Sequence, residues 1–214
     1  MATSVLYLRI NPDASLIRRG NQAYARGDYA KAADIYERAR MTGDGGETLL
    51  LRELEARLEA ADFRKAGKNL ELLIVLNPEN PDYRKRLAAV YQALGEADQA
   101  VATWNEYLAM RPADREGYYE LAMAMSRNGN TEKAKILLNR LLEEDPEDMR
   151  TLLALGKLHA WDGNYELAVD SFRKVLSIYP RWVEPRIYLA RVLSWMGDFE
   201  SSVMEYREAL KEYS

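Results

Sequence analysis

Few side chains in this 214-residue chain carry the chemistry of a catalyst. Cysteine is absent, which removes thiol nucleophiles and thiolate metal sites. The one histidine, His159, has no second histidine with which to hold a metal and reads as a packed core or groove residue. Gly43-Asp44-Gly45-Gly46 is too short for a phosphate-cradling loop and lacks the Lys-Ser/Thr that would follow it. Carboxylates are plentiful, yet no pair stands out for acid–base work. The expectation is a protein that is not an enzyme and uses no metal or cofactor. Recognition chemistry is better represented. Lys157 and Arg191 each precede a tryptophan by four residues, Trp161 and Trp195, and Tyr188 lies close by. Such cations and rings anchor interfaces, and flat rings also suit sugar faces. Arg18, Arg52 and Arg86 recur at steps of 34 residues, and guanidinium groups grip carboxylates through forked hydrogen bonds.

Composition narrows the class of protein that positions these groups. Hydrophobic residues make up 48% and charged residues 30%, which excludes disordered, collagen-like and disulfide-stapled chains. Thirty Lys and Arg against thirty-four Asp and Glu give a net charge of −4, without a block of like charge. A nucleic-acid or membrane-surface binder is normally more basic, so neither partner is expected. No apolar run exceeds five residues (Leu72 to Leu76, Leu121 to Met125), and no membrane-inserted segment is expected. The chain opens without a secretory signal pattern, which leaves the cytoplasm and the periplasm both open.

The elements follow from a period. Pro78, Pro112, Pro146 and Pro180 are separated by 34 residues each, as are Gly95, Gly129, Gly163 and Gly197, with Gly27 two steps earlier and Ala61 in the gap. Ala32, Ala66, Ala100, Ala134, Ala168 and Ser202 keep the same step. Four places later come Tyr36, Leu70, Trp104, Leu138, Phe172 and Tyr206. The spacing sets units at 13–46, 47–80, 81–114, 115–148, 149–182 and 183–214, after an arm or helix remnant at 1–12. Each unit predicts two antiparallel helices broken at the glycine, where the left-handed conformation closes the first. Asp28, Asp62, Asn130, Asn164 and Asp198 then favour starting the second. One pair leaves an apolar face wet, so neighbouring pairs must stack into an all-α solenoid.

The Leu155-Gly156 pair, the Gly163-Asn164-Tyr165 turn, Ala168, Phe172 and Pro180 resemble the tetratricopeptide repeat, a likeness running from residue 13 to 214. The resemblance implies a right-handed superhelical solenoid of six helix-turn-helix repeats, whose first helices line a concave groove that binds a protein or peptide segment and supports assembly of a larger complex. There are departures. Arg19 and Glu53 stand where Leu87, Leu121, Leu155 and Leu189 stand later, Leu54 is large in a small column, and Asp44 replaces the terminal proline, which suggests a hinge between the first two units.

Residues six, nine and thirteen of each unit share a helical stripe. Two candidate contacts emerge on it: the ladder Arg18, Arg52 and Arg86, and the patch Lys157, Trp161, Tyr188, Arg191 and Trp195. Each has an alternative reading. The arginines would pair locally, through Asp82 before Arg86 and Glu55 after Arg52, and the indoles would close the gap between consecutive units. The Lys-and-Asn clamp that some family members use on a C-terminal carboxylate is absent, since Ala89 follows Lys85 and Asn21 follows Ile17. Ala160-Trp161-Asp162-Gly163 and Ser194-Trp195-Met196-Gly197 are similar to repeats in bacterial envelope proteins of polysaccharide export, which implies contact with glycan or its modifying enzymes as an alternative function. The last helix lacks a polar capping helix. A longer parent chain or homo-oligomeric self-association through that helix is therefore expected, the alternative being a last face that Glu205, Glu208 and Lys211 make polar enough to stand uncovered.

Overall fold

The computed structural model describes residues 12–42 and 46–211. Among these the secondary structure is twelve α-helices and no strand. The arm before residue 12, the proposed hinge at Gly43-Asp44-Gly45 and the terminal Tyr213-Ser214 lie outside the described residues. Two compact units divide the chain, one ending at Ala113 and one beginning at Asp114. The first holds α1 (Pro12–Ala25), α2 (Tyr29–Thr42), α3 (Gly46–Glu59), α4 (Phe63–Leu76), α5 (Pro81–Leu94) and α6 (Ala97–Met110). The second holds α7 (Arg115–Arg127), α8 (Thr131–Glu144), α9 (Met149–Trp161), α10 (Tyr165–Ile178), α11 (Val183–Trp195) and α12 (Phe199–Lys211). Within each unit every helix packs on the next in the chain, so the fold is an all-α solenoid built from helical hairpins.

One hydrogen bond explains why each hairpin turns where it does. The amides of Asp28, Asp62, Glu96, Asn130, Asn164 and Asp198 donate to the carbonyls of Ala23, Arg57, Tyr91, Met125, His159 and Leu193, at 2.8–3.0 Å. This closure requires a left-handed residue just before the donor. Glycine fills that place five times, and Ala61 adopts it with φ of 54° despite its Cβ. Asp62 and Asp198 then cap the following helices by accepting from the amides of Lys65 and Ser201, whereas Asn130 and Asn164 make no such side-chain bond.

The apolar core is a series of seams between hairpins. Ile35, Tyr36 and Ala39 of α2 cluster with Leu49 and Ala56 of α3. Leu54 of α3, Leu70 and Leu73 of α4, and Leu87 and Val90 of α5 form the next seam. In the second unit, Ala122, Leu138, Leu155 and Leu158 join α7, α8 and α9, and Leu153, Phe172, Leu189 and Val192 join α9, α10 and α11. The small column lets the backbones meet. Ala32, Ala66, Ala100, Ala134 and Ala168 are fully buried, and Ser202 satisfies its hydroxyl by donating to the Ala190 carbonyl at 2.8 Å. Facing residues match in size. A Cβ on Gly156 would lie 2.7 Å from Phe172, and one on Gly20 would lie 2.5 Å from Tyr36. Glu53, the departure from the leucine column, is only 2% exposed. Arg40 satisfies it at 2.9 Å, and Arg57 lies 4.0 Å away while also pairing with Asp34, Glu37 and Asp62. A buried carboxylate in an apolar seam persists only with such partners.

Candidate functional site

The first helices of the second unit, α7, α9 and α11, frame a cavity of about 350 Å³. Tyr119, Met123 and Arg127 line it from α7, Arg150, Lys157 and Trp161 from α9, and Trp182 and Glu184 from the start of α11. These residues meet because each first helix presents the same face one hairpin further along. Arg150 lies over the Tyr119 ring at 4.4 Å and donates to both carboxylate oxygens of Glu116 at 2.9 Å. Burial pushes the Tyr119 phenol above its ordinary value, with the Arg150 charge opposing. Lys157 donates to Glu184 at 2.7 Å.

The cation–aromatic patch has a different internal order from the one its spacing suggests. Lys157 and Arg191 both converge on Tyr188, at 4.7 and 5.4 Å from the ring centroid. Tyr188 in turn stacks on the buried Phe172, with centroids 5.8 Å apart. Trp195 leans on Tyr165 at 5.9 Å and keeps 49% of its surface exposed. Trp161 is 71% exposed at the cavity wall. An indole with that exposure contributes little to packing between hairpins and presents a flat apolar face with an N–H donor at its edge.

In the first unit, Arg52 donates to Asn21 at 2.7 Å, and the Tyr36 hydroxyl donates to the same oxygen at 2.8 Å. Arg86 donates to Glu55, also at 2.7 Å. Both bonds link successive first helices, where local pairing within one helix was the alternative. Arg18 is exposed on α1. A second cavity of about 370 Å³ opens beside Asn21, Tyr24, Tyr36, Arg52 and Glu55.

His159 is half-buried, and its Nδ1 is buried without a hydrogen-bond partner among the described residues. Burial, and the nearby Lys135 charge, hold it below its ordinary value. Lys135 is itself buried and held protonated by Asp162 and Glu132. His159 therefore packs as a neutral side chain at the hairpin turn.

Sequence reasoning passed over Tyr119, Arg150, Trp182 and Glu184. One signal was available: Arg150 and Glu116 are 34 residues apart with opposite charge, which puts an ion pair across neighbouring first helices. Nothing periodic marks Trp182.

Three stretches match family models described as tetratricopeptide repeat, residues 115–158, 150–181 and 86–106. Among curated proteins, the inactive TPR repeat-containing thioredoxin TTL3 of Arabidopsis thaliana is 30% identical over 90 residues, 42% of this chain. The match spans only 13% of that protein's length. A tetratricopeptide repeat protein from Parabacteroides merdae ATCC 43184 superposes with a TM-score of 0.76 at 19% identity, covering 94% of this chain and 79% of its own. MamA 41-end from Desulfovibrio magneticus RS-1 gives 0.70 at 16% identity over 80% and 96% of the two chains. YrrB, described as a TPR protein with an unusual peptide-binding site, gives 0.63 at 18% identity over 82% and 92%. With the turn, the small column and its bulky partners repeating in hairpin after hairpin, the matched stretches are tetratricopeptide repeats and the fold is that of a tetratricopeptide repeat solenoid.

Proposed function

We propose that the protein is a non-catalytic scaffold that binds a segment of a partner protein along the first helices of its second unit and holds it within a larger assembly. The observation that carries this reading is Trp161, 71% exposed beside a cavity of about 350 Å³ that also holds Arg127, Arg150 and Lys157. An apolar or aromatic side chain of the segment would stack on Trp161, and its carboxylates would meet the cations. Tyr188, Arg191 and Trp195 extend the contact along α11. Arg18, Arg52 and Arg86 are proposed as a second contact on the first unit. There Asn21 and Glu55 hold Arg52 and Arg86 in place, which lowers the entropy lost when a guanidinium docks. The peptide-binding site ascribed to YrrB supports this kind of use for the fold.

Affinity capture from the source organism's lysate, followed by titration of the recovered segment, tests the proposal. Trp161→Ala with Trp195→Ala should cut affinity by a hundredfold or more while leaving helical content and melting nearly unchanged. Unchanged affinity refutes the assignment, and an unfolded variant assigns both indoles to packing. The two exposed indole faces also suit a saccharide. Titrating neutral and anionic oligosaccharides against tryptophan fluorescence distinguishes that reading, and a flat response removes it.

A further inference from the structure

The last described helix, α12, carries an apolar stripe that no other described residue covers. Phe199 and Leu210 are each 66% exposed, Val203 47% and Tyr206 40%. Their counterparts 34 residues earlier on α10 are Tyr165, Val169, Phe172 and Leu176, which are buried or half-buried against α11. The stripe thus repeats the internal seam of the solenoid and is exposed among the described residues.

We infer that this seam is a homodimer interface whose occupant is α12 of a second copy, packed antiparallel. Two features select that occupant. The steps from Phe199 to Val203, Tyr206 and Leu210 are four, three and four residues, the alternation of a coiled-coil seam and therefore complementary to itself. The flanks then fix the direction. On one side Ser202 and Ala209 are buried against α11. The other side is open and carries Glu200 and Arg207, which share one flank of the seam two turns apart. In an antiparallel pair the open flanks face each other, which brings Glu200 of each copy to Arg207 of the other. A parallel pair would set Glu200 and Arg207 against the flank that α11 already fills. A single helix of 13 residues extends about 20 Å, so the interface belongs to the small class.

Sedimentation of the intact chain over a concentration series tests the inference. The expected mass climbs from 24.6 kDa toward twice that value and stops. Val203→Glu with Leu210→Glu should leave a monomer at every concentration with unchanged helical signal, because both side chains are already exposed. Glu200→Arg and Arg207→Glu should each weaken the dimer at least tenfold, and the two together should restore it. Four results overturn the inference: a constant 24.6 kDa, a dimer indifferent to the seam substitutions, a mass growing past the dimer, or single charge variants that the double swap does not rescue. Binding of a peptide copying Val183–Trp195 to the seam of a chain that stays monomeric would give the face to a first-helix partner and equally overturn it.

Discussion

Replacing Gly156 with alanine tests whether matched residue sizes set the spacing of the hairpins. Inside a helix alanine is favoured over glycine by about 1 kcal/mol, so propensity alone predicts a more stable protein. The structure predicts the reverse. The added Cβ would lie 2.7 Å from Phe172 Cε1 and 3.0 Å from Cδ1 and Cζ. Phe172 has no exposed surface and is stacked on Tyr188, so its ring has no open direction in which to retreat. Overpacking of this kind costs roughly 1–3 kcal/mol, and the upper half of that range applies to a boxed ring. The net expectation is a loss of about 1–2 kcal/mol, or about 2–8 °C in melting temperature for a domain of this size. Gly67→Ala is the matched control. Its Cβ would lie 3.5 Å from Val90 Cγ1, an ordinary contact, so the helical gain survives and stability rises by about 1 kcal/mol. Urea denaturation of both variants reads the two signs. Adding Phe172→Leu to Gly156→Ala should recover part of the loss, because the Ala122 and Leu138 pair already packs that way one hairpin earlier. Gains from both alanine variants, or no rescue by leucine, would refute the size-matching argument.

Ala61→Gly should raise stability by about 1 kcal/mol, since it relieves the left-handed φ of 54° while keeping the turn bond; a lower denaturation midpoint would contradict this. Arg57→Ala should cost about 3 kcal/mol, by stripping the partner from Asp34, Glu37 and Asp62 and leaving Glu53 to Arg40 alone. That loss should survive about 0.5 M salt, which screens exposed pairs but not buried ones. His159 has a folded-state value below its ordinary 6.5, so the unfolded chain takes up the proton first as pH falls through that value. Stability should therefore decline below pH 6.5 until the folded-state value is reached, and His159→Gln should flatten the decline when midpoints at pH 7.5 and 5.5 are compared.

The solenoid was legible because its causes are periodic. A left-handed residue, a small residue and a bulky partner must recur wherever hairpins stack at one spacing, and those columns stand in the sequence as Gly163, Ala168 and Phe172 and their equivalents. Glu53 was legible as a departure but not as a buried ion pair, because its partner Arg40 sits on a different helix, outside any column shared with Glu53. The site was legible in part for the same reason. Residues at helical spacing on one stripe, such as Lys157 and Trp161, can be grouped from sequence. The reach of Lys157 to Tyr188 depends on how far apart α9 and α11 lie, and that distance is set by Gly156, Phe172 and their neighbours. Tyr119, Arg150 and Trp182 enter the cavity from helix starts, where the stripe no longer describes which side chains face inward.

Hydrogen exchange of the protein with and without its captured partner segment tests the docking surface most directly. Slowed exchange on α7, α9 and α11, centred on the turn of α9 that carries Trp161, is the predicted result. Protection confined to α8, α10 and α12, with the first helices unchanged, would contradict it.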